Sequence, residues 1–374
     1  MLTQKSIADR AMELGFADIG FTDAQPFCDH QKVLEERKQS YDWLCKLGLD
    51  LSLGIDPKAI LPEARSVIVL LAHYFDQRFP PEMESHFGRC YLDDDRLTRN
   101  GLTVKIKTFR AFLQDAGIKT KVSSHLPQRV AAARAGLGTF GKNCLFYANA
   151  AVAQGSWTLP IAVVTDAEFE PGTPTTGVKC PDWCKNACLV CCPTGALKGP
   201  CRIDPRRCIS YLTYFGEGLT PRELRQPMGL WIYGCDHCQN VCPRNQAWLA
   251  RTKTLSFNPE AVKKAPYFAL SKLLHMNTGY YETCIRPNMF YMPSSELWRW
   301  HMNVARAMGN TLDPLYITDL IRAFEENSDV RVRSMAAWAL GRIGGTAAKS
   351  ALERFQSQSD GALKDEVDFA LTLS

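Results

Sequence analysis

The sequence predicts an α+β chain. Strands and helices mix in its first half, a cysteine-rich segment occupies the middle, and short stacked helices close it. Three observations predict this. Ten of the fifteen cysteines fall between Cys180 and Cys242. Before them, strand-like runs such as Val67 to Leu71 alternate with helical stripes. After about residue 296 a pattern recurs: Val304-Ala-Arg-Ala-Met-Gly returns thirty-two residues later as Ala336-Ala-Trp-Ala-Leu-Gly, and Ser328-Asp329 recurs thirty-one residues later as Ser359-Asp360. A helical pattern at this period resembles HEAT-type repeats. The expected boundaries are 1–170 for the sheet-bearing part, 171–250 for the cysteine segment and 251–374 for the helices.

The cysteine segment points to iron–sulfur chemistry. Cys180-x3-Cys184-x3-Cys188-x3-Cys192-Pro193 and Cys208 with Cys235-x2-Cys238-x3-Cys242-Pro243 both end in Cys-Pro. Two-cluster ferredoxins use three thiolates of one run and the pre-proline cysteine of the other for each [4Fe–4S] cube. That exchange assigns Cys180, Cys184, Cys188 and Cys242 to one cluster, and Cys208, Cys235, Cys238 and Cys192 to a second. The first run is one residue wide of the ferredoxin spacing in its first two gaps. Cys191 is left over and competes with its neighbours as a ligand. Paired zinc sites favour separated C-x2-C pairs; Cys188-x2-Cys191 and Cys235-x2-Cys238 have that spacing, but both runs end in Cys-Pro. Disulfides need an oxidising compartment, and the N-terminal stretch has no apolar signal region. A cytoplasmic protein is therefore expected. Cys28, Cys45, Cys90, Cys144, Cys201 and Cys284 read as ordinary small core residues or inert thiols, and His237 as a supporting or surface residue.

Elsewhere the signals are local. A helix with Ala8, Ala11, Met12 and Leu14 on its apolar stripe stops at Gly15, and a strand follows. Residues 80–101, rich in Pro and Asp, read as a long loop. Thr103 to Ala116 reads as an amphipathic helix, Arg129 to Ala135 as a second helix, and Thr158 to Thr165 as a strand. Gly136, Gly138 and Gly141 read as a flexible loop whose backbone, with Lys142 and Asn143, approaches a ligand. In the repeats, Arg299, Arg306, Arg331, Arg333 and Arg342 are candidates for a concave basic face, or else solvated helix surfaces. No run of eighteen apolar residues predicts a membrane span. The formal charge of +5 is compatible with a nucleic-acid partner without requiring one.

Several segments together resemble one family. They are Glu13-Leu-Gly-Phe-Ala-Asp-Ile-Gly-Phe, Leu61-Pro-Glu-Ala-Arg-Ser-Val-Ile, Ala133-Arg-Ala-Gly-Leu-Gly-Thr-Phe-Gly-Lys-Asn, Gly155-Ser-Trp, Arg207-Cys-Ile-Ser-Tyr-Leu-Thr and Ile232-Tyr-Gly-Cys-Asp-His-Cys-Gln-Asn-Val-Cys-Pro. With the HEAT-like tail, they make the chain resemble the epoxyqueuosine reductases, which are related to reductive dehalogenases. The resemblance implies a nitroreductase-like domain holding base-off cobalamin, a ferredoxin-like domain with two [4Fe–4S] clusters, and a helical-repeat cap. It implies reduction of epoxyqueuosine in tRNA to queuosine, a flavodoxin or ferredoxin as electron donor, and a monomer. Carried onto this sequence, the cofactor-binding residues would be Gly138, Lys142, Asn143, Ser156 and Ser210. Three departures stand out. The family's aspartate proton donor falls in the stretch Lys121 to Arg129, which has no carboxylate; His125 is the nearest titratable substitute, or else a structural or surface histidine. A Gly-Tyr-His-Gly-like segment is replaced by Lys46-Leu-Gly-Leu-Asp-Leu. The first ligand run is widened. These departures put the tRNA substrate in question. They leave as alternatives a dehalogenase-like reductase of a small molecule, or a ferredoxin-like carrier docking on a partner.

Overall fold

The computed structural model describes residues 2–47, 50–92, 101–149 and 155–374. Its centre of organisation in the first half is a four-stranded antiparallel sheet. β1 (Asp18–Asp23) pairs with β2 (Ser66–His73), β2 with β6 (Thr158–Thr165), and β6 with β3 (Thr120–Val122). Ile68 stands opposite both Phe21 and Val163. One sheet face, with Ile68, Leu70 and Val163, packs on Ile7 and Ala11 of α1 (Gln4–Glu13) and on Phe109 and Leu113 of α3 (Leu102–Asp115). The other face, with Val67, Val69 and Val164, packs on Ala131, Ala132 and Ala133 of α4 (Gln128–Arg134). Burial on both faces explains why β2 reads as a continuous apolar run rather than an alternation. Between β1 and β2, α2 (Cys28–Glu36) buries none of its residues.

Two expectations need correction here. Residues 136–141 are not a flexible loop. β4 (Gly138–Phe140) and β5 (Phe146–Ala148) form a hairpin. A Cβ on Gly138 would lie 2.1 Å from the carbonyl oxygen of Tyr147, so close backbone packing inside the protein demands this glycine. Residues 80–92 are not a surface loop either. Phe79, Met83, Phe87 and Tyr91 are buried, and a short helix runs Pro81–Glu84. The recurrence of apolar residues every fourth position from Phe75 was outweighed by the prolines. Residues 93–100, also read as loop, lie outside the described residues.

The second half is helical. After the hairpin of β7 (Leu197–Gly199) and β8 (Arg202–Ile203) come α5 (Ile209–Phe215) and α6 (Pro243–Thr252). The repeats follow: α7 (Leu297–Thr311), α8 (Ile317–Glu326), α9 (Val330–Ile343), α10 (Thr346–Ser357) and α11 (Gly361–Leu371). The recurring glycine of the sequence pattern has a packing cause. A Cβ on Gly309 would meet Ala339 Cα at 2.7 Å, and one on Gly341 would meet the carbonyl oxygen of Ala370 at 2.3 Å. One apolar core joins this region to residues 75–92, so Phe75, Phe79, Met83 and Phe87 share it with Trp300, Leu340 and Ala370.

The basic concave face is corrected in its main members. Arg299 donates to the carbonyls of Gly216 and Tyr214. Arg306, fully buried, donates to the carbonyls of Gly229 (2.7 Å) and Trp231. Arg331 pairs with Asp329, and Arg333 donates to the carbonyl of Phe324. On the last helix, Glu366 accepts from Arg225 at 2.7 Å and from Arg222 at 3.1 Å. Arg299 and Arg306 therefore tie the repeats to residues 214–231, while Arg331 and Arg333 bond within the repeats. Burial lowers the Arg306 pKa to about 9. Among the described residues no helix is long and apolar enough to cross a membrane.

Arg306→Ala takes a donor from the carbonyls of Trp231 and Gly229, of which Gly229 keeps Asn310 Nδ2. It should lower unfolding stability by about 3 kcal/mol, read from the denaturant midpoint.

Candidate active site

The structure gathers the ligand cysteines into two groups of four. Burial pushes the Cys188 thiol up to about 11, and the neighbouring sulfurs that add to this are Cys242, Cys184 and Cys180. Burial also raises Cys238, whose sulfur neighbours are Cys208, Cys188 and Cys192. Cys235 likewise faces Cys238 and Cys208. So Cys180, Cys184, Cys188 and Cys242 form one group and Cys192, Cys208, Cys235 and Cys238 the other, with Cys188 and Cys238 adjacent across the boundary. Cys191 is exposed. Among the described residues no three His, Cys, Asp or Glu side chains converge as they would on a single metal ion. The sulfurs around a cube stand farther apart than the ligands of one ion, and eight thiols in two sets of four suit two cubes.

Local backbone explains the widened run. Lys185 and Asn186, between Cys184 and Cys188, both take left-handed conformations, with φ of 46° and 62°. Two such residues in succession turn the chain sharply enough to absorb the extra position, and Asn tolerates this region better than most. Donors then surround the sulfurs. The amide of Lys142 reaches Cys180 Sγ and that of His237 reaches Cys235 Sγ, each at 3.4 Å. The Ser210 hydroxyl, with the amides of Ser210 and Tyr211, bonds to Cys208. Asn143 Nδ2 donates to the Tyr147 hydroxyl at 2.9 Å, and that hydroxyl donates to the Cys242 sulfur. Hydrogen bonds to sulfur are one of the levers that set a cluster's potential.

The second group of sulfurs forms a wall of a large cleft. The cleft encloses about 1300 Å³ of atom-free space, counting its open mouth. Cys192, Cys208, Cys235 and Cys238 meet there with Leu145, Phe146, Leu159, Ile203 and Ile209. Behind them runs a buried polar network. Ser156 Oγ donates to Gln239 Oε1 at 2.8 Å and accepts from Asn245 Nδ2 at 2.9 Å. Tyr74 Oη donates to the same Gln239 oxygen at 3.2 Å. Gln239 Nε2 donates to Asp236, which also accepts from the Arg89 amide and guanidinium. Burial raises the Asp236 pKa, and Arg89 opposes that rise. One buried hydroxyl on the wall, Thr158 Oγ1, has no partner among the described residues. An unpartnered buried hydroxyl on the wall of a cleft marks a place for a ligand atom.

The sequence-predicted residues divide clearly. Asn143, Ser156 and Ser210 line the cleft. Gly138 lies inside the β4–β5 hairpin and Lys142 faces the first sulfur group, its ammonium donating to Asn186 Oδ1 at 2.7 Å; neither lines the cleft. His125 is exposed on the turn before α4 and does not line it either; its amide is bonded to Ser123 Oγ. His237, read as a supporting or surface residue, does line it. So do Cys90 and Cys144, both read as ordinary, and burial pushes the Cys144 thiol up to about 12. Sequence reasoning missed Tyr74, Arg129, Thr158, Asp236 and Gln239. The only available signal was polar residues inside the second ligand run, Cys235-Asp-His-Cys-Gln. The replaced segment Lys46-Leu-Gly-Leu-Asp-Leu falls partly on residues 48–49, outside the described residues.

Comparison with known proteins agrees with these parts. Residues 180–245 match the 4Fe-4S double cluster binding domain, and residues 296–371 match HEAT repeats. The epoxyqueuosine reductase of Escherichia coli (strain K12) is 32% identical over 83% of this chain and 81% of its own length. The chain belongs to the epoxyqueuosine reductase family. The epoxyqueuosine reductase of Listeria monocytogenes is 30% identical over 94% of this chain and 92% of its own. Two epoxyqueuosine reductase crystal structures share the fold across nearly the whole chain. One, with an epoxyqueuosine-modified tRNA-Tyr stem loop, has a TM-score of 0.81 at 27% identity, covering 99% of this chain and 98% of that one. Another, from Bacillus subtilis with its catalytic loop swung out of the active site, has a TM-score of 0.79 at 26% identity and the same coverage. The epoxyqueuosine reductase relationship covers the sheet, the cysteine segment and the repeats alike. The small-molecule and pure-carrier alternatives are not borne out.

Anaerobically reconstituted protein should carry about eight irons per chain. Cys191→Ser should keep that number, whereas Cys242→Ser should lower it toward about four, counted by colorimetric iron analysis.

Proposed function

We propose that this protein reduces epoxyqueuosine in tRNA to queuosine, using two [4Fe–4S] clusters and base-off cobalamin. The observation that carries the proposal is the cleft wall: one four-thiol group opens onto it, while the other lies behind. The chain's family, and the relative seen with a modified tRNA stem loop, support the substrate. Opening an epoxide to an alkene takes two electrons and two protons, and the oxygen leaves as water. Bound in the cleft, cobalamin would supply a low-valent cobalt able to hand over the two electrons.

The protein's share is placement, a dry wall and protons. Leu145, Phe146, Leu159, Ile203 and Ile209 exclude water from one side. Asn143, Ser156, Ser210 and Thr158 offer polar points for the cofactor's side groups, with Thr158 Oγ1 the one not yet committed. Gly138 and Lys142 act through the hairpin and the first cluster's loop instead. The ligand sets are Cys180, Cys184, Cys188 and Cys242, and Cys192, Cys208, Cys235 and Cys238. The cofactor- and substrate-holding part, 1–170, would be nitroreductase-like; 171–250 would carry the clusters and 251–374 the repeats. A flavodoxin or ferredoxin would be the donor, and the protein would act as a cytoplasmic monomer.

His125 is proposed to bring a proton from a loop position other than the one in this structure. The motive is the Bacillus subtilis relative, whose catalytic loop is described as swung out of the active site. An imidazole titrates near neutrality and can shuttle a proton there.

Protein reconstituted anaerobically with cobalamin should show a corrinoid spectrum and convert epoxyqueuosine-tRNA to queuosine-tRNA. Failure of either ends the proposal. His125→Ala should slow turnover about 10²-fold or more with iron content unchanged; undiminished turnover removes His125 from the chemistry.

A further inference from the structure

The two sulfur groups are not equivalent in their surroundings. Cys192, Cys208, Cys235 and Cys238 line the cleft, whereas Cys180, Cys184, Cys188 and Cys242 do not. Cys188 and Cys238 link the groups. An electron bound for the cleft therefore enters most directly at the first group and passes through the second.

The loop carrying the first group's ligands has an unusual surface. Trp183, beside Cys184, is 69% exposed, and Val190, two residues after Cys188, is 78% exposed. Two large apolar side chains held in water on a loop already committed to ligation are costly unless something covers them. Cations frame them. Lys179 and Lys185 are exposed on the same loop, which carries one acid, Asp182. Lys142 reaches the loop through Asn186, and Arg244 through the Lys179 carbonyl at 2.7 Å. Four cations thus stand against one carboxylate around an apolar centre.

We propose that the face bearing Trp183 and Val190, ringed by Lys179 and Lys185, is the docking surface for an acidic, low-potential, one-electron carrier protein. The inference rests on the cluster reading above and adds the place of entry. Each encounter oxidises the carrier by one electron and reduces the cluster held by Cys180, Cys184, Cys188 and Cys242 by one. Two encounters supply the pair that epoxide reduction needs. A small apolar centre with a charged rim suits such a partner: redox complexes bury little surface, and charge steers their encounter. An exposed apolar pair on the loop that carries Cys184 and Cys188 favours a protein over RNA, which would contact the same cations through phosphate.

The test is anaerobic stopped-flow mixing of the reconstituted protein with reduced flavodoxin, and separately with dithionite. Cluster bleaching is the readout. For wild type, the flavodoxin rate should fall as salt rises. Trp183→Ala and the double variant Lys179→Glu/Lys185→Glu should each slow it about tenfold or more. Iron content and the dithionite rate should stay at wild-type values. A wild-type flavodoxin rate in both variants overturns the docking surface and leaves the cluster reading standing. Wild-type protein without dithionite-reducible iron overturns both. Variants that lose binding of an anticodon stem loop while accepting flavodoxin electrons normally assign the face to RNA and overturn the proposal.

Discussion

The structure depends on a crossing of ligands between two stretches of chain. In the proposed ligand sets Cys192 leaves the first run to join Cys208, Cys235 and Cys238, and Cys242 leaves the second to join Cys180, Cys184 and Cys188; the neighbours of Cys238 and Cys188 agree with this. In those sets each group of four draws on both runs. Residues 180–242 must therefore fold together before either site is complete, and the insertion between Cys208 and Cys235 has to be held in place while they do. Arg306 and Arg299 supply that hold by capping carbonyls at 214–231 from the helical side. Metal binding and folding are then the same event over this stretch.

From this crossing follows a polarity. The second group of sulfurs lines the cleft, whereas Cys184, Cys188 and Cys242 of the first are buried and do not line it, with the hairpin β4–β5 beside both. Asn143 of that hairpin touches Tyr147, whose hydroxyl reaches Cys242, and also the carbonyl of Cys238. A short piece of sheet thus contacts both electron sites and the cleft wall. Its glycine at 138 is retained for packing against Tyr147, which keeps the hairpin tight where it meets the sulfurs.

Much of this was legible in the sequence, for identifiable reasons. The iron–sulfur segment showed through its two Cys-Pro endings, and residues 180–245 match a 4Fe-4S double cluster binding domain. β2 and β6 showed through their apolar runs, and the repeats through a glycine that recurs wherever two helices must approach closely. What stayed hidden depends on partners distant in sequence. Arg306 reads as a helix-surface cation until Gly229 and Trp231 are seen to present carbonyls to it. Tyr74, Gln239 and Asp236 form one network across more than 160 positions, and no local pattern announces it. Residues 80–92 read as loop because proline is a loop signal, while Met83, Phe87 and Tyr91 recur every fourth position and are buried.

That last segment has an architectural consequence. Phe75, Phe79, Met83 and Phe87 leave the sheet-bearing half and are buried among Trp300, Leu340 and Ala370. A gene shortened at residue 251 would therefore strip the cover from an aromatic ridge belonging to the portion that remains. The helical tail is not a detachable adaptor that recombination could graft or trade freely; any lineage that loses it must first rewrite the hydrophobic stitching near residue 80.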